Sequence, residues 1–201
     1  MPKPSAAELQ AAAQALDLDS SNYEITLDTT LGPIRLKLDS KSAPGHVRNM
    51  VALAESGYYD GVAFHRIIRN FMVQTGCPHS KKGAVGMPGT GGPGYQLPAE
   101  FNDVPHTRGV LSMARARDPS SAGSQFFIVH GDQASFLDGQ YTVFGKVEEG
   151  LDVLDAIASV ECDFGSSGER SKPKERVEIR SVELRPRQQR ESAQPQQEGG
   201  A

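Results

Sequence analysis

The sequence predicts a mainly β fold: a closed, eight-stranded antiparallel β-barrel capped by two α-helices. Three observations carry this expectation. Apolar runs of strand length recur along the chain, separated by clusters of Gly, Pro, Asn and Asp. Glycine and proline are abundant, at 21 and 13 of 201 residues, as a chain with many turns requires. Two segments carry a strong helical period, and they do not alternate with the strands as βαβ units would. Closure removes exposed sheet edges, so a barrel with a helix over each open end is the economical arrangement.

In chain order, residues 1–21 read as a polar leader with room for a short helix over about 6–16. Tyr23, Ile25 and Leu27 then alternate with Glu24, Thr26 and Asp28. After a turn at Gly32, Ile34, Leu36 and Leu38 alternate with Arg35 and Lys37. That period of two, folded back on itself, is a hairpin with one buried face. Further strand-length runs lie at 62–68, 71–74, 110–113, 126–129, 142–147 and 177–184. The first helix opens near Ser42 and Pro44, carries Val47, Met50, Val51 and Ala54 on one face, and stops at Gly57. The second, 151–158, places Leu151, Leu154 and Ala158 in register. Residues 186–201 are rich in Gln, Pro, Glu and Gly and bury too little to offset ordering entropy, so a disordered tail is expected. The folded unit is therefore 22–185.

A formal net charge of −4 argues against nucleic acid or an anionic membrane as partner. The chain shows no apolar run of 18 residues and no secretory signal core. Cys77 and Cys162 form no CxxC pair and read as two reduced thiols, which points to the cytoplasm. A monomer is expected, because no apolar stripe remains outside the predicted core.

Several motifs lose their force in context. The glycines from Gly89 to Gly94 match GxGxxG, but no strand precedes them and Pro98 breaks any helix that would follow, so the segment reads as a surface loop. The five histidines show no metal-ligand spacing, and no GxSxG elbow occurs. Arg66 is harder to place. It interrupts the apolar run Phe64-His65-Arg66-Ile67-Ile68, and a guanidinium there is either buried and paired or turned outward. The run by itself is compatible with both.

The blocks FHRIIRNFMVQTG, GVLSMARA, AGSQFFIVH and FLDGQYTVFGKV, in this order and at these separations, resemble the signature blocks of cyclophilins, bacterial-type members in particular. The resemblance spans about residues 23–184. It implies the cyclophilin-like barrel and cofactor-free cis/trans isomerisation of Xaa-Pro bonds in peptides and in unfolded or folding proteins. By the same resemblance Arg66 is the catalytic arginine. Phe71, Met72, Phe127 and Leu137 wall the proline pocket, and Gln74 orients the arginine and contacts the substrate. Ala114 and Arg115 offer backbone bonds to the peptide, and Gln125 touches it. Phe136 stands where many eukaryotic members carry the tryptophan that takes part in cyclosporin binding, and Tyr141 where many carry a histidine. Arg69-Asn70 replace a common Pro-Gly, and residues 79–88 lengthen the loop after Gln74. The alternative is a non-catalytic proline-peptide binding module or chaperone on the same fold, with either terminus recruiting a partner.

Overall fold

The hairpin at the start of the folded unit shows how the sheet is built. In a computed structural model that describes residues 4–16, 23–132, 134–165 and 168–186, strand β1 (Tyr23–Thr29) pairs with β2 (Gly32–Leu38). Ile25, Leu27, Ile34 and Leu36 are wholly buried on one face, as the alternation requires. Thr29 ties the turn, its hydroxyl donating to the Gly32 carbonyl at 2.6 Å and accepting from Leu31 N at 3.1 Å.

The remaining strands are β3 (Arg66–Ile68), β4 (Met72–Thr75), β5 (Val110–Met113), β6 (Phe126–Val129), β7 (Val143–Glu149), β8 (Cys162–Phe164), β9 (Arg170–Pro173) and β10 (Ile179–Pro186). Eight of them form one antiparallel sheet in the order β10-β1-β2-β7-β5-β6-β4-β3. The sheet curls strongly into a half-barrel, and here the structure departs from the closed barrel predicted above. Its edge strands β3 and β10 do not pair as a ladder. The chain just before each crosses the seam instead, through an isolated bridge between Ala63 and Glu178 and the bonds Phe64 N to Val177 O (2.9 Å) and Ile179 N to Val62 O (2.8 Å). This irregular crossing also explains why the apolar run from residue 62 becomes regular strand only at Arg66. A second sheet, the β8–β9 hairpin, was not anticipated.

The described residues hold three α-helices: α1 (Ala6–Ala15), α2 (Pro44–Glu55) and α3 (Leu151–Ala158). Helices α2 and α3 match the two expected caps. Helix α2 lays Val47, Met50, Val51, Leu53 and Ala54 into the main core, and α3 contributes Leu154, Ile157 and Ala158. Tyr59, Phe126 and Phe144 meet edge to face at the centre of that core. Helix α1 lies in the segment read as a polar leader. It opens with a Ser5–Glu8 capping box and packs on α2 through the buried Leu9. The expected C-terminal tail lies, from residue 187, outside the described residues. No helix among those residues is long and apolar enough to cross a membrane.

Candidate active site

The alternation in β3 decides the question left open at Arg66. Ile67 is buried, 1% exposed, while Arg66 and Ile68 lie on the opposite, partly open face. The arginine therefore turns outward, at the rim of a second apolar cluster separate from the main core. That cluster consists of Met72, Val110, Phe127, Val129, Ala134, Leu137 and Val143, with Ile68, Phe71, Ala114 and Tyr141 packed against it. All four residues assigned to the proline pocket, Phe71, Met72, Phe127 and Leu137, converge here from the β3–β4 turn, β4, β6 and the short 3-10 turn at Ser135–Leu137.

Antiparallel pairing places them. Arg66 faces Gln74 across β3 and β4, and Gln74 faces Phe127 across β4 and β6. Phe71 is fixed by the turn between β3 and β4. There Asn70 adopts the left-handed conformation, φ 63°, which asparagine tolerates better than most residues. Its N–H donates to His130 Nδ1 at 3.0 Å, and the Phe71 carbonyl accepts from His130 N at 2.9 Å. The Arg69-Asn70 replacement of Pro-Gly is accommodated by that geometry.

A buried polar group packs against the Phe127 ring. His106 stacks under Phe127 with centroids 6.2 Å apart, its Nδ1 bonded to Asp138 at 2.8 Å and its Nε2 to the Ser112 hydroxyl at 2.8 Å. The backbone N–H and ring of His106 hold the Asp138 carboxyl below its usual range. Tyr141 meets Phe127 edge-on at 5.9 Å, and Phe136, 61% exposed, tilts over Phe71 at 5.4 Å.

On the far side of Gln74 a hollow of about 810 Å³ runs along residues 89–96, Ala114, Arg115, Ala116 and Gln125. Gln125 ties its wall together, donating to the carbonyls of Gly89 (2.9 Å) and Gly91 (2.8 Å). The Ala114 N–H is committed to the Gln125 carbonyl at 2.9 Å. The Arg115 side chain folds back on the protein, donating to the Gln140 carbonyl and lying 4.5 Å from the Tyr141 ring centroid.

The Gln74 amide donates through Nε2 to Gln125 Oε1 at 3.1 Å. Glu169, from the β8–β9 hairpin, bonds the Arg66 guanidinium: Nε donates to Oε2 at 2.8 Å and Nη2 to Oε1 at 3.1 Å. Nη1 is aimed at Met72 Sδ, 3.7 Å away. Neither Glu169 nor the His106–Asp138 pair was singled out from the sequence. Asp138 stood within a quoted block, but nothing local marks Glu169.

A charged fork donor thus stands at the lip of an apolar cluster, beside an open groove on a curled antiparallel sheet. Residues 24–184 match the family model for cyclophilin type peptidyl-prolyl cis-trans isomerases, and the chain belongs to that family. Its relatives include a peptidyl-prolyl cis-trans isomerase of Synechococcus elongatus, 50% identical over 61% of this chain and 79% of that protein. Another, from Helicobacter pylori, is 47% identical over 66% of this chain and 78% of its own length. Among solved structures, a Cryptosporidium parvum cyclophilin type isomerase aligns with TM-score 0.69 and 29% identity, covering 81% of this chain and 97% of that one. The same protein in the presence of the dipeptide Ala-Pro aligns with TM-score 0.68, 30% identity and coverage of 79% and 96%.

Proposed function

We propose that this protein catalyses cis/trans isomerisation of Xaa-Pro bonds in peptides and folding proteins, with Arg66 as the catalytic residue. The observation that carries this reading is the placement of the Arg66 guanidinium on Met72 at the rim of the separate apolar cluster. We assign Phe71, Met72, Phe127 and Leu137 to the proline ring, and Phe136 and Tyr141 to the pocket's outer edge. Gln74, Gln125, Ala114 and Arg115 then follow the path of the peptide. Since the Ala114 N–H is already bonded, that residue would use its carbonyl.

The chemistry asks for these residue types. Rotation about Xaa-Pro breaks amide resonance and meets a barrier of ~18–20 kcal/mol. An acceleration on the order of 10⁵ needs ~7 kcal/mol of extra stabilisation in the transition state. Twisting localises the lone pair on the prolyl nitrogen, which becomes a hydrogen-bond acceptor that the planar amide lacks. A guanidinium stays charged and donates to that nitrogen without transferring a proton. The bond strengthens as the amide twists, and such differential binding is what lowers the barrier. The twisted amide is also less polar than the planar one, so apolar walls favour it.

The free thiols of Cys77 and Cys162 support a reducing, cytoplasmic setting, and we read the protein as a monomer. The function is tested by NMR exchange on an Ala-Pro peptide with wild type and Arg66→Ala. Loss of a single aimed donor predicts a drop of roughly 10²–10³ in rate with the fold intact. Retention of most activity in the variant removes Arg66 from the centre of the site. Peptide binding without exchange in wild type makes the chain a binding module.

A further inference from the structure

Arg66 is gripped by a residue outside every sequence block that defines the site. Glu169 lies 103 positions away, and its two carboxylate oxygens meet the Nε and Nη2 donors along one edge of the guanidinium. Such a fork-on-fork pair fixes orientation as well as distance. A guanidinium has five N–H donors, of which Glu169 takes one from each of two nitrogens. Nη1 lies off that edge and points to Met72, a wall of the apolar pocket.

The grip is carried on a secured element. The Glu169 carbonyl accepts from Gly165 N at 2.8 Å, and Arg170 Nε donates to the Cys162 carbonyl at 2.8 Å. Ser171 is buried, and β9 packs against β3, the strand that carries Arg66. Arg66 and Glu169 are 36% and 38% exposed, so as an ordinary surface ion pair they would add little to stability. What the contact does supply is a fixed guanidinium plane. Gln74, directly across the ladder, donates its Nε2 to Gln125, whereas both carboxylate oxygens of Glu169 meet the guanidinium.

We propose that Glu169 is a positioning residue for the isomerase: it holds the Nε–Nη2 edge of Arg66 so that Nη1 is presented to the prolyl nitrogen. This rests on the isomerase reading above. The test compares wild type, Glu169→Ala and Glu169→Gln by NMR exchange on the Ala-Pro peptide, together with the Arg66 Nε–Hε resonance, assigned by its loss in Arg66→Ala. Glu169→Ala is expected to lose on the order of tenfold in kcat with KM little changed, since small misplacements of a catalytic group are costly. Its Arg66 resonance moves to the position of a solvated arginine. Glu169→Gln, which keeps an acceptor of the same shape, recovers part of both effects. A kcat within twofold of wild type, or an unmoved resonance, overturns the proposal, even if thermal stability falls. Should Glu169→Ala not fold, Glu169→Leu, which keeps the bulk and removes the acceptor, is judged by the same two limits. Wild type without exchange activity defeats the isomerase reading instead. The resonance then decides by itself: a shift in Glu169→Ala upholds the grip on Arg66, and no shift overturns it.

Discussion

His65 precedes Arg66 and lies partly buried beneath the loop at Gly89. A Cβ placed on Gly89 would lie 3.6 Å from its ring, so the loop covers it closely. Burial lowers its pKa from 6.5 to about 4, and the neighbouring Arg66 charge pushes in the same direction. The ring is therefore neutral at pH 7. The folded value lies below the unfolded one, so as pH falls the unfolded chain takes up its proton first. The stabilisation is complete above about pH 6.5 and is lost between there and pH 4, a difference on the order of 3 kcal/mol. We expect the ring resonances of His65 to titrate near 4, and His65→Gln to remove that part of the stability slope. A midpoint near 6.5 would show that the ring is solvated and the covering loop open. Arg66 itself was legible as an outlier in an apolar run, whereas Glu169 was not. Its polar contact crosses 103 residues, and no periodicity or local motif records such a pairing.

At the scale of elements, α2 shows how a long-range contact completes a local signal. Pro44 opens the helix, but Ala43 at the N-cap has no side chain to satisfy the first amides. Glu100 does so from a distant loop, accepting from Gly45 N and His46 N, both at 3.0 Å, and bonding His46 Nδ1 at 2.6 Å. Partial burial alone would raise the Glu100 pKa. The His46 ring and the two amides outweigh burial and hold it below 4.5. The carboxylate thus stabilises the fold above the unfolded value, and the contribution is lost as pH falls through the folded one. Glu100→Ala should cost about 1–2 kcal/mol at pH 7 and flatten the loss of stability below pH 4.5, as read by denaturant unfolding. An unchanged midpoint at pH 7 would mean that water caps the helix equally well. Elements with one apolar face, such as β1, β2 and α2, could be read directly from the sequence. The β8–β9 hairpin could not. Cys162-Asp163-Phe164 and Arg170-Ser171-Lys172-Pro173 bear no alternating apolar face, and Phe164 is 71% exposed. The open seam between β3 and β10 was equally hidden, because single backbone bonds there replace a register that side chains would report.

Across the whole molecule, apolar burial is divided between a main core, which runs from Leu9 to Ile179, and the smaller cluster that walls the pocket. Stability and catalysis should therefore respond to different changes, and α1 offers the cleanest test. It reaches the main core through Leu9 alone among its wholly buried residues, and Arg48 Nε secures its end by donating to the Leu16 carbonyl at 3.0 Å. Ala6 lies against Gly94, on the wall of the hollow and away from Arg66 and the pocket. A chain beginning at residue 17 loses the burial of about one leucine, about 1.5–3 kcal/mol. It should still fold, unfold at lower denaturant, and keep its kcat within twofold on a short Ala-Pro peptide. If longer peptides follow the hollow past Gly94, they should show the difference in KM, because the wall has lost its support. If the truncated chain is unfolded, α1 belongs to the folding unit and the domain begins near residue 5 instead of 22. If it folds and kcat collapses on the short peptide, the two clusters are coupled, and the separation argued here fails.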